Sequence, residues 1–379
     1  MEVNCPDQKS SARSCRPYDG WALMQAIEID AETPSVLANS FFWGSLRRQV
    51  LFLIISQMGT TLDFSQLLSR CGGSDAEPTI GPIVRLGSAL LKQRPQYLLR
   101  ALLGTVPDGL IGTLRRLGHE PAEQPTFYAT LLRVFNSSDP TDRLRVRLLG
   151  QSTGPLRPGQ IEGLAVLDPA MLHLSVLART KSVTEAQTLN NALAYVRARC
   201  STATDNALRQ SLDRISEQRK ISHWFRRWAE RFDRLPVCAS PFVADPTLRV
   251  LDSGPALLDA GRRYGNCLAS KIGEVVTGRY LFIEHQPDPS LPGAIAELRY
   301  TSKGYVLDGL YMKSNGALPH ERAVALRTRL AKCGVAIRCH VPGDEEQLRA
   351  VAKLLGVYDW RGHGGDMGWG LDLEEELGE

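Results

Sequence analysis

Through the first half of the chain, apolar residues recur three and four positions apart between short breaks of proline and glycine, a period that predicts helices. Phe41–Ile55, Asp63–Arg70, Pro82–Gln93, Tyr97–Leu103, Leu110–Leu117 and Pro125–Phe135 all read this way. Asp139–Leu149 opens on an Asp-Pro pair suited to a helix start. Residues 154–163 read as a loop, and Pro169–Arg179 and Val183–Arg199 as further helices. The glycine-bounded units are unevenly spaced and share no motif, so an α-solenoid and a compact irregular helical region both stay open. His119 and His173 stand alone in this region and read as structural.

From Asn206 to Leu235 the pattern predicts one long amphipathic helix. Leu208, Leu212, Ile215, Ile221, Phe225, Trp228 and Phe232 lie on one side, and arginines dominate the other. Arg219, Lys220, Arg226, Arg227 and Arg231 are the candidate phosphate contacts, because arginine and lysine neutralise a nucleic-acid backbone and release its counterions. The competing reading is a solvated face laced with Arg226–Glu230 and Glu230–Arg234 pairs. Trp224 and Trp228, four apart, read as core anchors. Pro236 and Pro241 then mark a boundary.

Beyond it the period changes to two. Tyr280–His285, Ala294–Thr301 and Gly304–Met312 read as strands of an antiparallel meander. Pro255–Tyr264, with Ser253 as N-cap, and a second helix from Asn266 to about Thr277 precede them; Pro319–Cys333 follows as a helix, then a strand over Val335–Val341 and a helix over Asp344–Leu355. The fold class is therefore α+β: a helical N-terminal part followed by a small antiparallel β-sheet packed by helices. The expected organisation is a disordered tail over 1–20, a helical region over 21–235, an α+β module over 236–360, and a flexible glycine-rich and acidic tail over 361–379.

Composition changes this picture little. The chain has 379 residues, a formal charge of +4 and 43% hydrophobic residues, which are ordinary values for a globular protein. So small a surplus does not by itself imply a polyanionic partner, and any such case rests on local clustering. Eight scattered cysteines form no Cys-x-x-Cys pair, so no metal site and no cofactor is expected. The polar N-terminus has no signal-peptide core, and the apolar run Val50–Ile55 is too short to span a bilayer. A cytoplasmic protein with reduced thiols and no membrane partner is the expectation.

The chemically expressive residues gather between Leu257 and Asn315. An N-cap at Asn266 sets Cys267 in the first turn of a helix, near Arg262, Arg263 and Lys271, a setting that makes a thiolate available. Cys267 is read either as a nucleophile, with His285 as its leading base, or as a small packing residue. Glu297, in mid-strand, is read either as a general base or anchor for a basic group, or as one half of a cross-strand salt bridge. Lys313 and Asn315 end the third strand in a turn suited to Asn-Gly, or in a polar loop where a ligand meets a sheet.

Leu257-Leu258, Gly261, Asn266-Cys267-Leu268, Gly278 before Leu281-Phe282-Ile283, Ala296-Glu297-Leu298 and Lys313-Ser314-Asn315 together resemble the PcfJ-like family of bacterial plasmid and mobile-element proteins, over about residues 250–341. Asn266 stands where that family carries histidine before its cysteine, and no glutamine precedes Lys313-Ser314-Asn315. The resemblance implies an accessory protein of a plasmid or other mobile element. Together with the basic segment it points to DNA or RNA as partner, with the helical N-terminal region available to a protein partner. The alternative is a cysteine-dependent enzyme with Cys267 and Glu297 in its site, assisted by His285 or Lys313. The residues leave binding protein and enzyme both open.

Overall fold

The computed structural model describes residues 14–58, 81–215, 220–235, 240–288 and 292–337. The chain divides into two compact units. Met1–Tyr195 with Thr204–Ile221 form the first, and Val196–Ala203 with Ser222–Glu379 the second.

Unit 1 is helical over its described residues. Its elements are α1 (Gly20–Glu32), α2 (Val36–Ser40), α3 (Ser45–Ile55), α4 (Pro82–Lys92), α5 (Pro95–Leu103), α6 (Leu110–Arg116), α7 (Thr126–Asn136), α8 (Pro140–Gln151), α9 (Pro158–Val166), α10 (Leu174–Leu177), α11 (Val183–Arg199, whose last four residues count with unit 2) and α12 (Asp205–Asp213). At the centre lies α3. Its run Val50–Ile55 is buried on every side and packs on α5 and α6, as a helix apolar all round must. The Arg48 side chain is buried over the Tyr18 and Phe52 rings, at 4.9 and 5.7 Å. Tyr18 lies in the stretch expected to be tail, yet it is buried against Phe41 and Phe52. Asp139 caps α8 through Thr141 and Asp142 N–H, as its position before Pro140 predicts. Most of the expected loop at 154–163 is instead taken up by α9, which starts on Pro158; proline is favoured in a first helical turn. Pro169–Arg179 is a 3-10 turn, Pro169–Met171, and the one-turn α10 rather than a single helix. The helix expected at Asp63–Arg70 lies outside the described residues. No helix of the described residues is long and apolar enough to cross a membrane.

Unit 2 holds α13 (Ile221–Ala229, whose first residue counts with unit 1), α14 (Gly254–Tyr264), α15 (Ile272–Val276) and α16 (His320–Lys332) around a four-stranded antiparallel sheet. The strands are β1 (Leu248–Val250), β2 (Tyr280–His285), β3 (Ala294–Thr301) and β4 (Gly304–Tyr311), paired in sequence order. This is the α+β class expected. The edge strand β1 was not expected, since three residues are too few for a period to register; it is recognised only by pairing Leu248 with His285 and Val250 with Ile283.

Alternation divides the sheet into two faces. Leu281, Ile283, Ala296, Leu298 and Leu307 form one core with Leu326 and Leu330 of α16. The opposite face carries Phe282, Glu284, Ile295 and Glu297; α15 packs on β2 there, and α14 reaches it through Arg263 and Tyr264. The long helix expected over 206–235 is two shorter ones, α12 and α13. The helix expected from Asn266 to Thr277 is a 3-10 turn, Cys267–Lys271, followed by the five-residue α15. Gly261 sets this geometry. A Cβ there would stand 3.3 Å from Ala269 N, so its absence lets the turn lie directly on α14. The strand expected at Val335–Val341 lies partly outside the described residues; within them Ala336 bridges Val306 in parallel. The helix expected at Asp344–Leu355 is wholly outside.

Candidate functional site

Two surfaces of unit 2 carry charge in an arrangement with chemical consequences. The first is α13. Trp224 and Trp228 are buried at 3% and 2% exposure, with their rings 6.2 Å apart, and Phe232 is buried beyond them. These side chains anchor the helix and are not free to stack on bases. The other side projects Arg226 and Arg227, with Arg231 and Arg234 just past the helix end, all exposed. Lys220, immediately before the helix, is exposed too. Arg219 lies outside the described residues. None of these five described cations takes part in a salt bridge among the described residues. The expected Arg226–Glu230 and Glu230–Arg234 pairs are therefore not formed. Asp233 is engaged elsewhere, accepting from Ser201 N at 2.6 Å, and that backbone hydrogen bond holds its carboxyl below the usual range. Arg231 lies over the Trp228 ring at 5.0 Å, which orients its guanidinium without neutralising it.

The second surface is the sheet face opposite α16. It holds two carboxylates in contrasting surroundings. Glu284 is 3% exposed. Arg263 donates to it from both terminal nitrogens, one bond measuring 2.9 Å, Tyr264 Oη donates at 2.9 Å, and Arg249 adds an ion pair at 3.6 Å. Burial pushes this carboxyl up, but the Arg263 and Tyr264 hydrogen bonds and the arginine charges outweigh it and hold it below the usual range. Asp259, one turn before Arg263, accepts from Arg263 Nε at 2.8 Å and completes the clamp.

Glu297 is treated differently. It is partly buried opposite Gly309 in β4, and no salt bridge reaches it among the described residues. Tyr311 folds back over Gly309, where a Cβ would collide with its hydroxyl, and that hydroxyl hydrogen-bonds Glu297. Just past Glu297 the register slips, leaving Asp308 as an extra residue on β4 that accepts from Arg299 Nε at 3.2 Å. Lys271 pairs with Glu274 at 3.4 Å and lies over the Tyr280 ring at 5.9 Å. Burial raises the Glu297 carboxyl, Asp308 and Glu274 raise it further, and Lys271 and Tyr311 offset only part of this. Lys271 is raised as well: burial opposes its charge, and Glu274, Glu297 and Cys267 outweigh that opposition.

Cys267 is exposed at the start of the 3-10 turn, capped as expected by Asn266, whose side chain accepts from Leu268 N at 3.2 Å. A turn this short aligns few peptide dipoles, so the expected helix-dipole activation of the thiol has no structural basis. The expected site combining Cys267, Glu297 and His285 is not assembled either. That side chain is 5% exposed on the α16 face, where Asp245, Arg322 and Arg329 bear on it, whereas Glu297 projects from the other face. Odd and even positions of a strand point oppositely, so the sheet separates His285 from Glu297. Its Nε2 is buried without a partner, and burial together with the two arginines lowers its basicity.

Lys313 and Asn315 are exposed in a 3-10 turn, Lys313–Asn315, in which Ser314 and Asn315 both take left-handed backbone conformations. This turn lies beside the end of α14, with Ser314 Oγ facing Gly265. The cation bearing on Glu297 is Lys271, not Lys313. The sequence marked Tyr311 and Glu284 as chemically expressive but assigned neither a role and did not pair Glu284 with Arg263. The available signal was Gly309 between a strand carboxylate and a tyrosine, which only the cross-strand register makes legible.

Compared with protein-family models, curated proteins and solved structures, the chain matches none.

Proposed function

We propose that the protein binds a nucleic-acid backbone through the exposed arginines of α13, as an accessory protein of a plasmid or other mobile element. The observation that carries this reading is that Arg226, Arg227, Arg231 and Arg234, with Lys220 before the helix, are exposed and unpaired among the described residues, while two buried tryptophans hold the helix in place. Unpaired arginines on one short element repel one another, and a row of phosphates relieves that repulsion while releasing counterions. Arginine also presents a planar fork suited to phosphate oxygens. The resemblance of residues 250–341 to PcfJ-like proteins supports the genomic setting, and a phosphate-reading surface without base-stacking aromatics fits sequence-independent DNA or RNA binding.

The test is fluorescence anisotropy with labelled DNA and RNA duplexes and single strands, titrated between about 50 and 200 mM salt. Binding that weakens linearly on a log–log plot, with a slope shallower by about one for each contact removed in Arg226→Ala, Arg227→Ala and Arg231→Ala, is the expected result. Binding that ignores salt, or no binding to any of these ligands, would overturn the proposal.

A further inference from the structure

Ser14–Tyr18 is held on unit 1 by a few bonds, one of which titrates. Arg16 N donates to Phe41 O at 3.0 Å, and Arg48 Nη1 donates to Arg16 O. The Tyr18 ring is buried against Phe41 and Phe52, with its hydroxyl 2.8 Å from Ser40 Oγ. The remaining bond joins Arg16 Nη1 to His119 Nε2. His119 sits in a loop that α3 fixes: Gln49 Nε2 donates to Gly118 O at 3.2 Å and to Glu120 O at 2.7 Å. A guanidinium has only donors and keeps its charge, so His119 Nε2 must accept and the imidazole must be neutral. Protonation removes that lone pair and puts two cations in contact. A third lies beneath them. Arg48 is fully buried, forms no salt bridge among the described residues, and has Nε and Nη2 buried without partners. The charged groups facing His119 are therefore Arg16, Arg48 of α3, and Glu120 of its own loop, the one carboxylate among them. Cys15 and Tyr18 also face Arg48. If Arg16 moves, Nη1 loses its partner too, and a buried guanidinium with every donor unmet must take up water.

We propose that Ser14–Pro17 is a pH-released strap: neutral His119 fastens it through Arg16, and protonated His119 lets it swing out about Tyr18 and open the Arg48 guanidinium to solvent. Tyr18 is the hinge because its ring is 5% exposed and its bond to Ser40 does not change near neutrality, burial pushing the hydroxyl up from an already high value. Burial, then Arg16 and Arg48, oppose the charging of His119, and Glu120 offsets part of this. The closed strap thus disfavours the proton. Closure is complete above the open-state value of about 6.5 and weakens as pH falls below it. The opening is local, because the ring contacts of Tyr18 and the apolar run of α3 carry no group that titrates there. Nothing in this device depends on what α13 binds.

The test is hydrogen exchange at the Arg16 amide, the donor to Phe41 O, on the full chain between about pH 7.5 and 5. Electron-transfer fragmentation resolves the residue, and each rate is corrected for the intrinsic rate at that pH. The expected result is protection that falls by up to about tenfold per pH unit below about 6.5, while the amides of Leu51–Leu53 in α3 stay protected. His119→Gln, whose side-chain oxygen accepts from Arg16 and does not titrate, keeps the Arg16 amide protected throughout. Arg16→Ala removes the fastening and leaves the amide of residue 16 weakly protected at every pH. Arg16 protection that ignores pH in the unmutated protein overturns the proposal. So does a pH-dependent loss that persists in His119→Gln or in Arg16→Ala, or a loss of α3 protection in step with that of Arg16.

Discussion

Glu284 and Glu297 differ by what surrounds each carboxyl, and that difference has measurable consequences. Arg263→Ala leaves the buried Glu284 with Tyr264 and the largely exposed Arg249. Loss of one partner of a fully buried pair costs about 3–5 kcal/mol; with the Arg263 side chain 40% exposed, about 2 kcal/mol is expected, read from the urea midpoint. The folded-state Glu284 carboxyl lies below its unfolded value, so its stabilisation is complete above the usual carboxylate range and is lost as pH falls through that range and below. His285 acts in a higher window. Its folded form resists protonation because of burial, Arg329 and Arg322, against the smaller opposing charge of Asp245. Its contribution is complete above an unfolded value of about 6.5 and falls as pH drops below that. Stability measured by urea titration at descending pH should therefore decline in two stages, and His285→Gln should shrink the upper one to the share of His119, whose protonation burial, Arg16 and Arg48 also oppose. A single stage confined to the carboxylate range in the unmutated protein would contradict this role for His285.

At the scale of elements, small residues decide where helices and strands meet. Gly254 opens α14 so close to the end of α13 that a Cβ would stand 2.5 Å from Glu230 O and 2.7 Å from Ala229 O. These are backbone atoms and cannot swing away. Gly254→Ala is expected to cost about 1–3 kcal/mol and to loosen α13, weakening the proposed nucleic-acid binding without removing a single cation. An unchanged thermal midpoint in that variant would contradict the packing. Much of the element pattern is legible from residue types. β2 and β3 have the bounds that alternation predicts, and α11 those that helical spacing predicts. Ser253 and Asn266 cap where their side-chain chemistry suggests. The failures are equally local in cause. β1 is too short to show a period, and the 3-10 turn at Cys267 follows from contact with Gly261 rather than from the turn's own propensities.

For the whole molecule, a formal charge of +4 in 379 residues is a weak field, so any polyanion must be recognised by a local arrangement. Under the proposed function, the affinity expected of α13 is correspondingly modest and steeply dependent on salt. Composition, period and capping residues by themselves determined the α+β class, the helical first unit, the antiparallel meander and the basic character of residues 219–234, because these depend on spacing along one chain. Tertiary structure alone decided which charges are spent and which are free. Arg263 is taken by Glu284 and Arg299 by Asp308, whereas Arg226 and Arg227 are left to solvent and Glu297 to a single tyrosine. Those pairings join residues as much as 21 positions apart through cross-strand register and helix docking, and register is a property of two elements that neither one encodes alone.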